Sequence, residues 1–168
     1  VPAVIDETAE VKPAVSSVLI SKTFDNGMIC ASEQSVVVVK DIYDAVKEEF
    51  ITRGAYFLNA KEKKTLGKML LENGHVNADI VGQRATTIAQ MAGIKVPSYT
   101  KVLIAEVSEV GPEEPFSAEK LSPVLAMYKA ENFDEAAAKA KSLVMFGGAG
   151  HTAVLYTNPV SYTHLTLP

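Results

Sequence analysis

The sequence predicts an α/β fold of three layers, α/β/α, with helices on both faces of a largely parallel sheet. Three observations predict it. Strand-like apolar runs alternate with helical stripes along the whole chain, the order that crossover helices and parallel strands produce. The four valines at 36–39 show no inside-outside alternation, as expected of a strand covered on both faces. With 168 residues, 48% of them hydrophobic and 21% charged, the chain can bury one sizeable core.

The elements follow in order. Val1–Ile5 reads as a short apolar strand, and residues 10–23 as a helix with Val11, Ala14, Val15, Val18 and Leu19 along one stripe. Pro13 falls in its first turn, where N–H groups have no internal acceptor and a proline costs little. A loop containing Asp25-Asn26-Gly27 and Cys30 leads to the strand Ser35–Val39. Residues 41–53 form a helix with Tyr43, Val46 and Phe50 inward and Gly54 as its cap. Helices are expected at 62–72 and 84–91, closed by Gly74 and Gly93. Strands are expected at "KVLIAEV", "VLAMYKA" and "HTAVLYT", with a long loop "EVGPEEPFSAEKLSP" and a helix "NFDEAAAKAKSLVMF" between them.

Composition excludes several functions. A net charge of −4 and a pI near 5.4, without a Lys/Arg cluster, argue against a nucleic-acid partner. No apolar run reaches the roughly 20 residues of a membrane span, and the first residues lack the basic and apolar regions of a signal peptide. A single cysteine cannot form an internal disulfide, which points to a reducing cytoplasm. The ends read as those of a piece: "VPAVID" is a strand entered midway. The last nine residues, "VSYTHLTLP" (160–168), read as a translated, adaptor-derived tail, the alternative being a natural disordered tail. His164 therefore carries no chemistry.

Few residues can carry chemistry. Cys30, between a glycine turn and a buried strand, could be held rigidly as a nucleophile; a lone cysteine is equally at home as buried filler. By its spacing alone Glu119 reads as a solvated loop glutamate. "GGAGHT" follows a helix and precedes a strand, the reverse of a phosphate loop, so its glycines cap and turn the chain. His151 beside it reads, from its neighbours alone, as a hydrogen-bonded turn residue. His75 reads as exposed and inert. Glu113 and Glu114 are adjacent and unsuited to act as a glycosidase pair, and no metal-ligand spacing is present.

Seven stretches carry a resemblance: "VIDETA", "FDNGMICASEQS", "EEFITRGAYFLN", "NADIVGQ", "VGPEEPF", "EKLSPVLAMYKA" and "GGAGHTAVLYT". In content and order they resemble the CoA-acylating aldehyde dehydrogenases, and more narrowly the acetaldehyde dehydrogenase half of bifunctional aldehyde-alcohol dehydrogenases. The resemblance covers residues 1–159. It implies that Cys30 is the nucleophile and that its backbone N–H helps to form an oxyanion hole. It implies that Glu119 binds the nicotinamide ribose of NAD, that Leu121 packs beside the nicotinamide, and that His151 faces the active site as an acid/base or an activator of the coenzyme A thiol. Many relatives have His before this glutamate where this chain has Ala118, which bears on the loop rather than on Glu119.

By the same resemblance, residues 1–20 end an NAD-binding domain and 21–159 belong to a truncated catalytic domain of the aldehyde-dehydrogenase type. The reaction implied is the reversible conversion of acetaldehyde, CoA and NAD to acetyl-CoA and NADH through a thioacyl-enzyme. The parent would carry a fused iron-dependent alcohol dehydrogenase domain and form homo-oligomers or filaments, and the isolated fragment is expected to be inactive. Two alternatives stand beside this reading: a hydrolytic aldehyde dehydrogenase of the same superfamily, whose base glutamate would lie upstream, and a non-catalytic assembly module.

Overall fold

The structure, a computed structural model, describes residues 1–158. The expected tail at 160–168, with His164, lies outside the described residues. Strand β1 (Pro2–Ile5) leads through helix α1 (Val11–Thr23) to β2 (Ser35–Val39), and α2 (Lys40–Thr52) leads to β3 (Ala55–Phe57). Helix α3 (Ala60–Leu70) runs into a small hairpin of β4 (Leu71–Glu72) and β5 (His75–Val76), followed by α4 (Ala85–Met91). The last elements are β6 (Val102–Glu106), β7 (Val124–Ala130), α5 (Phe133–Gly147) and β8 (Val154–Tyr156).

Six strands form one sheet in the order β3-β6-β7-β2-β1-β8, every neighbouring pair parallel. The valine run shows why both faces are covered. Val36 and Val38 pack with α1 and α2, whereas Val37 and Val39 pack with residues of α3, α4 and α5. The period of two thus sends alternate side chains into two separate cores, and the layering is the α/β/α arrangement expected. Among the described residues no helix is long and apolar enough to cross a membrane.

Several boundaries differ from the expectation. The helix expected at 62–72 is Ala60–Leu70: Asn59 accepts from the Glu62 N–H at 3.0 Å while the Glu62 carboxylate accepts from the Asn59 N–H at 2.9 Å. This reciprocal cap fixes the start two residues earlier. Gly74 does not close that helix. With Asn73 it forms the two-residue turn of the β4–β5 hairpin, both at positive φ (53° and 80°), the conformation Asn-Gly adopts most readily. Strand β3 is an additional edge strand of three residues beside β6.

One topological fact positions everything that follows. Cys30 lies in the connection entering β2, Glu119 and Leu121 in the one entering β7, and His151 in the one entering β8. Because the strands are parallel and β7, β2, β1 and β8 are successive neighbours, these three connections gather at the amino ends of the strands. Open α/β sheets ordinarily bind ligands at the carboxyl ends. Here the carboxyl end of β1 is closed by Asp6, which is buried and accepts from the Thr8 N–H and hydroxyl (2.8 and 2.6 Å) and from the Thr157 hydroxyl.

Candidate active site

The cysteine connection begins where α1 ends. Asp25, Asn26 and Gly27 all adopt positive φ (49°, 51° and 76°), turning the chain back at once. Asn and Asp tolerate this region better than most residues, and glycine does so without a Cβ penalty. Gly27 is required for a second reason: a Cβ there would lie 2.8 Å from the Ser122 carbonyl carbon and oxygen and 3.0 Å from the Lys22 oxygen. The chain then forms a tight turn in which the Ser32 N–H donates to the Ile29 oxygen at 3.0 Å. Cys30 lies within that turn with its side chain exposed.

The second connection is held just as closely. Leu121 has φ +44°, a strained conformation for a side chain of its size. Its carbonyl accepts from the Gly82 N–H at 3.1 Å. Gly82 in turn meets the cysteine connection, since a Cβ on it would come within 2.6 Å of the Met28 sulfur. The segment "NADIVGQ" is thus wedged against both connections. Lys120 curls the loop: its ammonium donates to the carbonyls of Phe116 (2.6 Å) and Ala118 (2.8 Å). Glu113 and Glu114 lie in the turn expected of "GPEEP", Glu113 exposed and Glu114 half-buried, and the Glu114 carboxylate accepts from the Phe116 N–H at 3.1 Å.

Between the two connections lies a buried polar cluster. Lys22 and Lys120 are completely buried, and Gln34 is 6% exposed. The Gln34 side-chain oxygen accepts from the Lys22 ammonium at 3.0 Å and from the Lys120 backbone N–H at 3.1 Å. The Gln34 amide nitrogen donates to the Ser32 hydroxyl at 3.3 Å. Burial lowers the Lys22 pKa to about 7 against the opposing pull of Glu33 and Glu119. Burial, with Lys22 adding to it, holds Lys120 well below its ordinary value. Glu33 accepts weakly from the Tyr156 hydroxyl at 3.5 Å. Among the described residues its second carboxylate oxygen and the Ser122 hydroxyl are buried without a hydrogen bond.

Glu119 and His151 line one shallow cleft, together with Gln34, Ser35 and the α5 residues Leu143 and Val144. Cys30 and Leu121 do not line it. The residues flanking Cys30, Ile29 and Ala31, border a neighbouring apolar groove with Ile20 and Phe24. Glu119 and Leu121 are half-buried, and His151 is exposed in a turn where its N–H donates to the Gly148 oxygen at 3.1 Å. Gly148, at φ +125°, caps α5, the capping role expected of "GGAGHT". His75 is exposed in β5 and lines neither the cleft nor the groove, and no group of His, Cys, Asp and Glu among the described residues could hold a metal ion. Glu119 presents a half-buried carboxylate, an acceptor for hydroxyls, to the cleft, whereas Leu121, outside that cleft, presents a half-buried apolar side chain two residues on.

Sequence reasoning missed Lys22, Gln34 and Lys120. A signal for Lys22 existed, because it continues the α1 stripe of Val15, Val18 and Leu19 at helical spacing, which places a cation on the buried face.

No family model matches the chain. It is 60% identical over 157 residues to the bifunctional aldehyde-alcohol dehydrogenase of Escherichia coli K12, a match covering 94% of this chain and 18% of that protein. It superposes on an acetylating aldehyde dehydrogenase from Geobacillus thermoglucosidasius with TM-score 0.95 and 45% identity, covering 97% of this chain and 36% of the other. It also superposes, with TM-score 0.82 and 25% identity over 95% of this chain and 36% of the other, on a Rhodopseudomonas palustris propionaldehyde dehydrogenase solved with bound CoA and an acylated cysteine. The chain spans less than a fifth of the length of the Escherichia coli relative.

Proposed function

We propose that this chain, which belongs by sequence and fold to the acylating aldehyde dehydrogenases, carries the thiol chemistry of an NAD-dependent, CoA-acylating acetaldehyde dehydrogenase. The observation that carries the reading is the gathering of Cys30, Glu119, Leu121 and His151, from three separate connections, at the amino ends of four adjacent strands. Glu119 would hold the ribose hydroxyls of NAD and Leu121 would face its nicotinamide. When bound, NAD supplies the hydride acceptor.

The chain's own residues do the rest. The deprotonated sulfur of Cys30 forms a bond to the aldehyde carbon, and the carbonyl oxygen takes up the negative charge of a thiohemiacetal. The Cys30 backbone N–H is one donor for that oxygen, and its position is fixed before reaction by the tight turn around it. Loss of hydride from carbon leaves a thioester on Cys30. His151 takes the proton of the CoA thiol, whose sulfur attacks the thioester carbon. Cys30 sulfur leaves, and acetyl-CoA is formed. The acylated cysteine found together with CoA in the Rhodopseudomonas palustris propionaldehyde dehydrogenase supports this sequence of bonds by analogy.

In the whole protein we place a second, iron-dependent alcohol dehydrogenase domain and a homo-oligomeric assembly alongside this one. The two-part name of the Escherichia coli relative and its greater length support the first. The deciding experiment is NADH production by the whole protein with acetaldehyde, with and without CoA. Turnover that requires CoA and vanishes in Cys30→Ala, with NAD affinity within a few-fold, is expected. Equal turnover without CoA would assign a hydrolytic aldehyde dehydrogenase instead, and turnover surviving in Cys30→Ala would remove Cys30 from the chemistry.

A further inference from the structure

The cysteine connection and the Glu119 connection are 86 residues apart in sequence yet share one buried acceptor. Gln34 stands at the entry to β2, four residues after Cys30, and Lys120 is the residue after Glu119. An amide oxygen has two lone pairs. At Gln34 one takes the Lys22 ammonium and the other the Lys120 N–H, while the amide nitrogen is spent on Ser32, two residues beyond Cys30. This orientation satisfies both donors; a flipped amide would set its NH₂ against them. The Gln34 backbone carbonyl also accepts from the Ala126 N–H of β7 at 3.2 Å. Gln34 therefore ties down the strand that follows Glu119 as well as the loop that carries it.

We propose that Gln34 is a positioning residue that locks the cysteine loop and the Glu119 loop into one register, with Lys22 orienting its amide. Three observations exclude a role as mere filler. The bond to Lys120 is made at a backbone N–H, so it constrains the course of the loop and not only a side chain. The loop it constrains contains a leucine at positive φ, which the surrounding structure must over-determine to persist. The Lys22 that completes the acceptor is wholly buried, a costly placement that hydrogen bonding must offset. The catalytic meaning of the lock rests on the proposed active site, whereas its physical content concerns the two loops alone.

The test is hydrogen exchange, read by mass spectrometry on peptides spanning 28–34 and 117–123 of the whole protein. Gln34→Met keeps the bulk and removes the acceptor. Both peptides should then exchange about tenfold faster, the weight of one buried hydrogen bond, while peptides of α2 stay unchanged. Gln34→Glu retains an acceptor for both donors and should restore protection of 117–123. Lys22→Met removes the orienting donor only and should leave 117–123 less affected than Gln34→Met does. Faster exchange confined to 28–34, or Gln34→Glu behaving as Gln34→Met, would overturn the proposal. If Gln34→Met does not fold, loss of protection of 117–123 in Gln34→Glu alone overturns it. Glu119→Gln, measured in parallel, should leave both peptides unchanged; a failure of that variant to alter NAD binding would count against the Glu119 reading and not against the lock.

Discussion

Gly27 lies against the main chain of Ser122 so closely that a Cβ would stand 2.8 Å from its carbonyl carbon and oxygen. This backbone-to-backbone approach joins the loop of the single cysteine to the loop of Glu119 and Leu121. It explains why a left-handed turn of three residues is needed directly after α1: the chain must pass this point with no side chain and then rise to present Cys30.

Gly27→Ala should therefore cost more than conformational strain. Gly93 supplies the control, since it also has positive φ (69°) but nothing within 4 Å of where a Cβ would stand. Placing alanine in the left-handed region costs roughly 1–2 kcal/mol, and Gly93→Ala should show about that loss in urea unfolding. Gly27→Ala should exceed it by about 1–3 kcal/mol and should also slow alkylation of Cys30 or its turnover. Equal losses at the two glycines would mean that the loops do not meet as described.

Lys22 gives a pH dependence. Its pKa in the fold is about 7 against an ordinary 10.5. Between these values the unfolded chain binds a proton that native Lys22 does not, so stability rises with pH across the window and is level below it. Lys120 acts in the same direction. Each such group contributes a slope approaching about 1.4 kcal/mol per pH unit. Lys22→Met should flatten the rise between about pH 7.5 and pH 9, in urea titrations at a series of pH values. Parallel curves for the two proteins would mean that Lys22 keeps its proton in the fold.

The sheet was legible because its cause is local. Four valines in succession have room for side chains on both faces, and the structure sends them alternately to the two cores. The hairpin at Asn73-Gly74 was legible in principle, but its first strand, Leu71–Glu72, continues the stripe of the preceding helix, and its second, His75–Val76, is too short to show a period. The three-residue β3 is too short to show a period at all. Of the candidate site, the residue types were visible while their reach was not. The positive φ of Leu121 and the shared acceptor at Gln34 depend on contacts across 39 and 86 residues, which no local pattern encodes. Cys30 itself stood out through family resemblance, since its neighbours alone allow filler as readily as nucleophile.

Glu119 lines the cleft as a half-buried carboxylate, and its charge pulls the buried amines of Lys22 and Lys120 toward protonation against the larger effect of burial. Glu119→Gln keeps its shape and removes charge-assisted acceptance, so kcat/KM should fall by about 1–3 kcal/mol of transition-state stabilisation. The loss should shrink with a cofactor analogue lacking the nicotinamide-ribose hydroxyls. Equal losses with both cofactors would place Glu119 away from the ribose.

His151 shares the Glu119 cleft but is exposed, and its turn is held through its backbone N–H rather than its ring. Removing the ring should therefore cost little stability, because the Gly148–His151 turn survives in any residue with an N–H. An imidazole nitrogen can accept a thiol proton as a general base. If it does so for CoA, His151→Ala will slow acyl transfer while the first burst of NADH per active site stays nearly intact. Rapid mixing of the whole protein with acetaldehyde and NAD, followed by CoA, separates the two steps. A burst and a transfer that fall together would assign His151 to the shape of the cleft, and a variant normal in both would take it out of the mechanism.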